Sequence, residues 1–196
     1  MTDIKKAIKI LQQGGIGIFP TDTAYGIGCR LDNEESIRRL YKIRRRPSSQ
    51  AVPVLVNSSL MAQNYLKSPL PDNVRHLMKN YWPGGLTIVY RCREDKIPKL
   101  VRAGGSTLGV RMPKSKLTLE IITGLGVPLL GPSANFHGKS TPYEFDELDQ
   151  KLLKAVDFVL EGKCRDKLAS TVVDCTSTDW KILRQGVVRL DNIKAI

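Results

Sequence analysis

Six short polar-and-glycine motifs, each joined to an apolar strand-like run, punctuate nearly the whole chain: PTDTAYGIG (20–28), RRRP (44–47), STLGVRMP (106–113), GPSANFHG (131–138), STVVD (170–174) and LRQG (183–186). Apolar runs that repeatedly end on hydroxyls, a carboxamide or a guanidinium favour an α/β plan, in which ligand clefts are built at strand ends. The segments between the motifs fit that plan. Ile4, Ala7, Ile8 and Leu11 make a one-sided stripe that Thr2 or Asp3 can cap and Gly14–Gly15 can end, which predicts an amphipathic helix over 3–13. Ile16–Phe19 reads as the first buried strand. Asp32 or Asn33 can then cap a helix that turns Ile37, Leu40 and Tyr41 inward, followed by a strand over Val52–Val56. Further helices are expected near 58–66, 72–81, 116–124 and 144–155, and further strands at 86–91, 107–112, 127–130, 156–160, 170–174 and 180–184. This alternation predicts a twisted sheet, mixed or mostly parallel, with flanking helices, because parallel neighbours need crossovers. Late strands without a helix between them predict some antiparallel pairing.

With 196 residues and 41% apolar content, the chain can bury one large core, and it is read as one domain over 1–196. Lys and Arg number 31 against 19 acidic residues, a formal charge of +12. That balance suits a polyanionic ligand such as a nucleotide or RNA, or serves solubility alone. Cys29, Cys92, Cys164 and Cys175 stand far apart, with no C-x-x-C pair and no nearby histidine cluster. The spacing argues against a zinc site and a disulfide framework and for free thiols in a reducing cytoplasm. No run approaches the ~18–20 apolar residues of a membrane span, and the start lacks a leader-like pattern, so a soluble cytoplasmic protein without a membrane partner is expected.

Each motif has a chemical and a local reading. Thr21, Asp22 and Thr23 either emerge into a cleft or close a strand-to-loop turn, and Gly26 and Gly28 allow close backbone approach to a ligand. Arg44 and Arg46, at a helix end before Pro47, either clamp phosphate oxygens or form a solvated basic end favoured by the helix dipole. Ser133 and Asn135 present a hydroxyl and a carboxamide from a turn closed by Gly138, while Ser170 and Thr171 open a strand that Asp174 closes. Nothing matches a Walker loop or a Rossmann fingerprint.

Taken together, PTDTAYGIG, RRRP, PGGLT (83–87), STLGVRMP, PSAN with its following glycine, STVVD and LRQG resemble, in order and spacing, the motifs of the YrdC/TsaC family of threonylcarbamoyl-AMP synthases, over about residues 5–190. The resemblance implies a YrdC-like twisted α/β fold with a deep basic concave cleft. It also implies synthesis of L-threonylcarbamoyladenylate and pyrophosphate from L-threonine, bicarbonate and ATP, for modification of tRNA. ATP enters as a substrate with Mg2+ carried on its phosphates, and no protein metal cage is implied. A threonylcarbamoyl transferase downstream, and tRNA or double-stranded RNA, are the implied macromolecular partners. The threonine pocket carries over to Thr23, Arg111, the backbone at Gly131, and Ser170. The nucleotide side carries over to Arg46, Gln50, Thr107, Ser133, Asn135, Thr141 and Arg184, with Arg44, Arg46, Ser133 and Asn135 as the catalytic set. The chain departs from the family's usual Lys-x-Arg at Arg44, from Lys or Asn at Gln50, from a His found in some members at Leu55, and from PGPLT in PGGLT. These departures resemble the YciO-like paralogues and imply, as the alternative, a nucleotide- or RNA-binding protein with weak or no synthase activity.

Overall fold

The computed structural model describes residues 3–190. Helix α1 (Ile4–Gln12) starts where the carboxylate of Asp3 accepts a 2.7 Å bond from the Lys6 amide; Thr2, the other candidate cap, lies outside the described residues. Its apolar stripe buries Ala7 and Leu11 against Ile121, Ile122 and Leu125 of α5 (Lys116–Leu125), which forms a small satellite core. Helix α2 (Glu34–Arg44) is capped by Asn33 through the Ser36 amide at 2.9 Å and carries Glu34 and Glu35 in its first turn, a favourable placement at a helix N-terminus. It buries Ile37, Leu40 and Tyr41 in the main core. Its last residue, Arg44, is buried as well. Helices α3 (Ser59–Gln63) and α4 (Asp72–Tyr81) follow.

The strands form two sheets rather than one. In the smaller, β1 (Gly17–Pro20) pairs antiparallel with β2 (Tyr25–Gly28) and parallel with β7 (Phe158–Val159). The larger has the order β6-β3-β5-β4-β8-β9, made of β6 (Leu129–Leu130), β3 (Val54–Leu55), β5 (Thr107–Arg111), β4 (Leu86–Arg91), β8 (Thr171–Asp174) and β9 (Lys181–Arg184). Isolated bridges tie Gly26 of β2 to Ser133, just after β6, and Arg30, just after β2, to Leu129 of β6. Among the described residues, parallel pairing is confined to β1–β7, β3–β5 and β4–β8, so the pairing is mixed and not mostly parallel.

The strand β2, hidden inside the first motif, explains part of this difference. The connection from β1 is too short for a crossover, so the chain can only fold straight back. Gly28 is required there because a Cβ would stand 1.8 Å from the Leu130 carbonyl oxygen of the adjoining sheet. The helix expected over 144–155 is also broken. Glu144 and Glu147 close a capping box around a 3-10 turn, Phe145–Glu147, and Asp149 then caps a separate α6 (Gln150–Leu153). Among the described residues no helix is long and apolar enough to cross a membrane. All four cysteines are buried and free, and burial pushes the Cys29 and Cys175 thiols up to about 12.

Candidate ligand-binding cleft

The turn after β1 is held from within. The Thr21 hydroxyl donates to the Ala24 carbonyl at 2.7 Å and accepts from the amides of Thr23 and Ala24, both at 3.2 Å. Thr21 is therefore the local turn residue. That choice frees the next two side chains, Asp22 and Thr23, to face across to β5. There Arg111, 6% exposed, donates from Nη2 to Asp22 Oδ1 at 2.5 Å, from Nη1 to Thr23 Oγ1 at 2.6 Å and from Nε to the Gly84 carbonyl at 2.9 Å. A guanidinium has five donors, so two N–H groups remain beyond these bonds. Burial holds the Arg111 pKa below the ordinary arginine value, against the opposing pull of Asp22. The second carboxylate oxygen, Asp22 Oδ2, is buried without a hydrogen-bond partner among the described residues.

The opposite wall begins at the end of α2. Arg45 takes up a left-handed conformation, φ 53°, and its guanidinium lies 4.9 Å from the centre of the Phe136 ring. This single left-handed residue turns the chain so that Arg44 before it and Arg46 after it both line the cleft. Arg44 is only 2% exposed, which removes the reading of a solvated helix end. Its Nε donates to the Asn135 carbonyl at 3.1 Å and its Nη2 to Asn135 Oδ1 at 3.2 Å, while Nη1 is buried with no partner. Burial, reinforced by the neighbouring charge of Arg46, lowers the Arg44 pKa to about 10. Arg46 donates to the Gln50 and Ala51 carbonyls at 3.1 and 2.6 Å.

The GPSAN turn is the third element. Gly131 hands its amide to the Pro53 carbonyl at 3.0 Å, and Ser133 bridges to Gly26 of β2. Ser133 Oγ donates to Asn135 Oδ1 at 2.6 Å, and Asn135 Nδ2 donates to the Lys139 carbonyl at 2.6 Å. Gly138, at φ 79°, closes the turn in a conformation that suits glycine. At the start of β8, Ser170 Oγ lies 2.9 Å from Thr87 Oγ1 and accepts from Arg184 Nη2 at 3.0 Å.

The resulting cleft encloses about 150 Å3. Of the residues singled out in the sequence, Thr23, Arg44, Arg46, Arg111, Gly131, Ser133, Thr141, Ser170 and Arg184 line it. Asn135 stands one hydrogen bond behind Ser133. Gln50 and Thr107 do not line it: Gln50 is exposed and offers its carbonyl to Arg46, and Thr107 sits at the far end of β5 from Arg111. Gly28 serves sheet contact rather than ligand approach, and Gly26 lines the cleft with its missing Cβ 3.0 Å from the Phe19 ring. Asp22 was read only as one of three polar residues after the first strand, without its pairing to Arg111, and Thr87, which lines the cleft from within PGGLT, was missed as a site residue. In sequence each shows only a carboxylate or a hydroxyl beside a strand end, which carries no indication of a partner.

Among the described residues the ion pairs include Arg111 but not Arg44, Arg46 or Arg184. Fold and cleft thus define an α/β protein with hydroxyls, one neutralised guanidinium and three uncompensated ones around a single opening. The family model for Sua5, YciO and YrdC proteins, described as "Telomere recombination", matches residues 9–186, and the chain belongs to that family. Threonylcarbamoyl-AMP synthase of Bacillus subtilis (strain 168) is 32% identical across 98% of this chain and 56% of that protein. The crystal structure of P. abyssi Sua5 complexed with L-threonine superposes with a TM-score of 0.86 at 28% identity, covering 93% of this chain and 54% of that one. The crystal structure of E. coli YciO has the same TM-score at 25% identity, covering 96% of this chain and 91% of that one. The chain spans about half the length of the first two relatives.

Proposed function

We propose that this cleft condenses L-threonine, bicarbonate and ATP into L-threonylcarbamoyladenylate and pyrophosphate. One observation carries the reading: Arg44, Arg46 and Arg184, none paired with a carboxylate, converge on the same opening as the Arg111–Thr23 pair and Ser170. Uncompensated guanidiniums match a triphosphate. The neutralised pair matches an amino acid, whose carboxylate meets the free N–H groups of Arg111 without a surplus of positive charge against its ammonium. The bound L-threonine of P. abyssi Sua5 and the name of the B. subtilis relative support this assignment.

In the proposed reaction, threonine's amine and carbon dioxide from bicarbonate form a carbamate. Its oxygen attacks the α-phosphorus of ATP, a new P–O bond forms, the bond to the β-phosphate breaks, and pyrophosphate leaves. A carboxylate nucleophile needs no general base, so the work falls to positioning and charge neutralisation. Thr23, Arg111, the Gly131 backbone and Ser170 hold threonine. Arg46, Thr141, Arg184 and the Arg44–Asn135–Ser133 group hold the nucleotide, which arrives as its magnesium complex. The adenylate is an activated acyl donor, consumed by a transferase acting on tRNA in the cytoplasm.

Incubation of the purified chain with threonine, bicarbonate and Mg-ATP, followed by mass spectrometry and pyrophosphate assay, is expected to show adenylate dependent on all three. ATP and threonine binding separately with no adenylate formed would remove the synthase reading. Salt-sensitive RNA binding without threonine binding would instead favour the RNA-binding alternative.

A further inference from the structure

The RRRP motif puts an arginine where the helix ending calls for glycine. At the end of α2 the Arg46 amide donates to the Tyr41 carbonyl at 2.9 Å and the Arg45 amide to the Lys42 carbonyl at 3.1 Å, a pair of bonds that needs a left-handed residue at Arg45, here φ 53° and ψ 37°. Glycine takes that conformation without steric cost, whereas an arginine in it is strained. Arg45 does not line the cleft; its guanidinium lies 4.9 Å from the centre of the Phe136 ring, within reach of a cation–π contact. Resting on the nucleotide reading of the cleft, we infer that Arg45 and Phe136 form a clasp outside the cleft lining that positions Arg44 and Arg46 for the nucleotide.

Arg44 and Arg46 both line the cleft. Were the helix to continue, side chains two positions apart would diverge by about 200°, and one of the two would leave it. The left-handed turn at Arg45 is what keeps them together. Two guanidiniums that no carboxylate offsets among the described residues repel each other, so the turn needs an anchor before any anion arrives. The turn after β6 supplies it, residue against residue. Arg44 Nε donates to the Asn135 carbonyl at 3.1 Å, the His137 amide donates to the Arg44 carbonyl at 2.8 Å, and between these bonds Phe136 takes the side chain of Arg45. The ring is itself fixed, half-buried against the main core, with the Phe136 carbonyl accepting the Lys139 amide at 3.0 Å. Arg45 and Phe136 are therefore positioning residues. A glycine at 45 would permit the turn, but it would have nothing with which to grip the ring.

Calorimetry with Mg-ATP and, separately, with threonine reads the clasp whether or not adenylate forms. Phe136→Leu keeps an apolar side chain against the core and removes the aromatic face. It is expected to weaken ATP about two- to five-fold, the effect of one exposed cation–π contact, and to leave threonine affinity unchanged. Phe136→Tyr keeps the face and is expected to bind ATP as the wild type does. In an Arg45→Met background, Phe136→Leu is expected to cause no further loss. Arg45→Gly relieves the left-handed strain without restoring the clasp, so its melting temperature is expected to stay level or rise while ATP affinity falls by the same factor. Equal ATP losses for Phe136→Leu and Phe136→Tyr, an undiminished loss in the Arg45→Met background, or an ATP affinity untouched by Arg45→Gly would overturn the inference. So would a loss shared equally by threonine, which would assign the contact to the fold as a whole. A wild-type chain that binds no ATP defeats the nucleotide reading itself, and the unsubstituted protein alone tells that result from the others.

Discussion

Two buried arginines line the cleft, and their charges are handled in opposite ways. Arg111, 6% exposed, has Asp22 at 2.5 Å and bonds from each of its three nitrogens. Arg44, 2% exposed, has no carboxylate, and one of its nitrogens lacks any partner. A buried charge with its counter-ion is part of the fold; a buried charge without one is stability given up for a ligand. The difference shows which wall is electrostatically complete in the free protein and which one the proposed function leaves to an anionic ligand.

The largest effect that would break this contrast is on stability. Arg111→Met leaves Asp22 as an uncompensated buried carboxylate and is expected to cost about 3–5 kcal/mol in urea unfolding. Adding Asp22→Leu should recover part of the loss, and no recovery would mean that Asp22 is not the reason. Next comes binding. Arg46→Ala removes a charge-assisted contact of about 1.5–3 kcal/mol and is expected to weaken ATP by roughly ten-fold or more while threonine affinity holds. Calorimetry with each ligand separates the two, and equal losses would merge the walls into one site. The same Arg-to-Met change at position 44 should act with the opposite sign from position 111, raising the stability of the free chain by about 1 kcal/mol while lowering ATP affinity. A melting temperature that falls instead would show Arg44 to be structurally satisfied. At the small end, Arg38→Ala breaks an exposed pair with Glu34, whose side chains are 69% and 61% exposed, and is expected to change stability by no more than about 0.5 kcal/mol. A larger change there would mean that the basic face of α2 matters beyond the cleft.

Local features were legible where the physics is local. The boundaries of α4, Asp72–Tyr81, follow from its stripe of Val74, Leu77 and Met78, and residue type narrowed the first two caps to Thr2 or Asp3 and Asp32 or Asn33, of which Asp3 and Asn33 cap in the structure. Strand β2 was not legible, because YGIG has two glycines and no polar alternation and only its pairing with β1 makes it a strand. The break before α6 was missed because Glu147 and Asp149 look like ordinary helix-surface residues until their carboxylates are seen capping two separate turns. Half of the residues that line the cleft carry over from motif resemblance rather than geometry. Gln50 and Thr107 lie outside that lining, since a motif position carries no distance.

By itself the chain determined most helices, most strands, the mixed α/β class and much of the chemical inventory of the cleft, because periodicity, caps and residue types act over a few positions. Tertiary structure alone decided which charges are compensated. Asp22 and Arg111 are 89 positions apart, and Arg44 and Asn135 are 91 apart. Whether a guanidinium meets a carboxylate or an amide oxygen depends on how two sheets and a helix end close around it, and no local pattern encodes that distance.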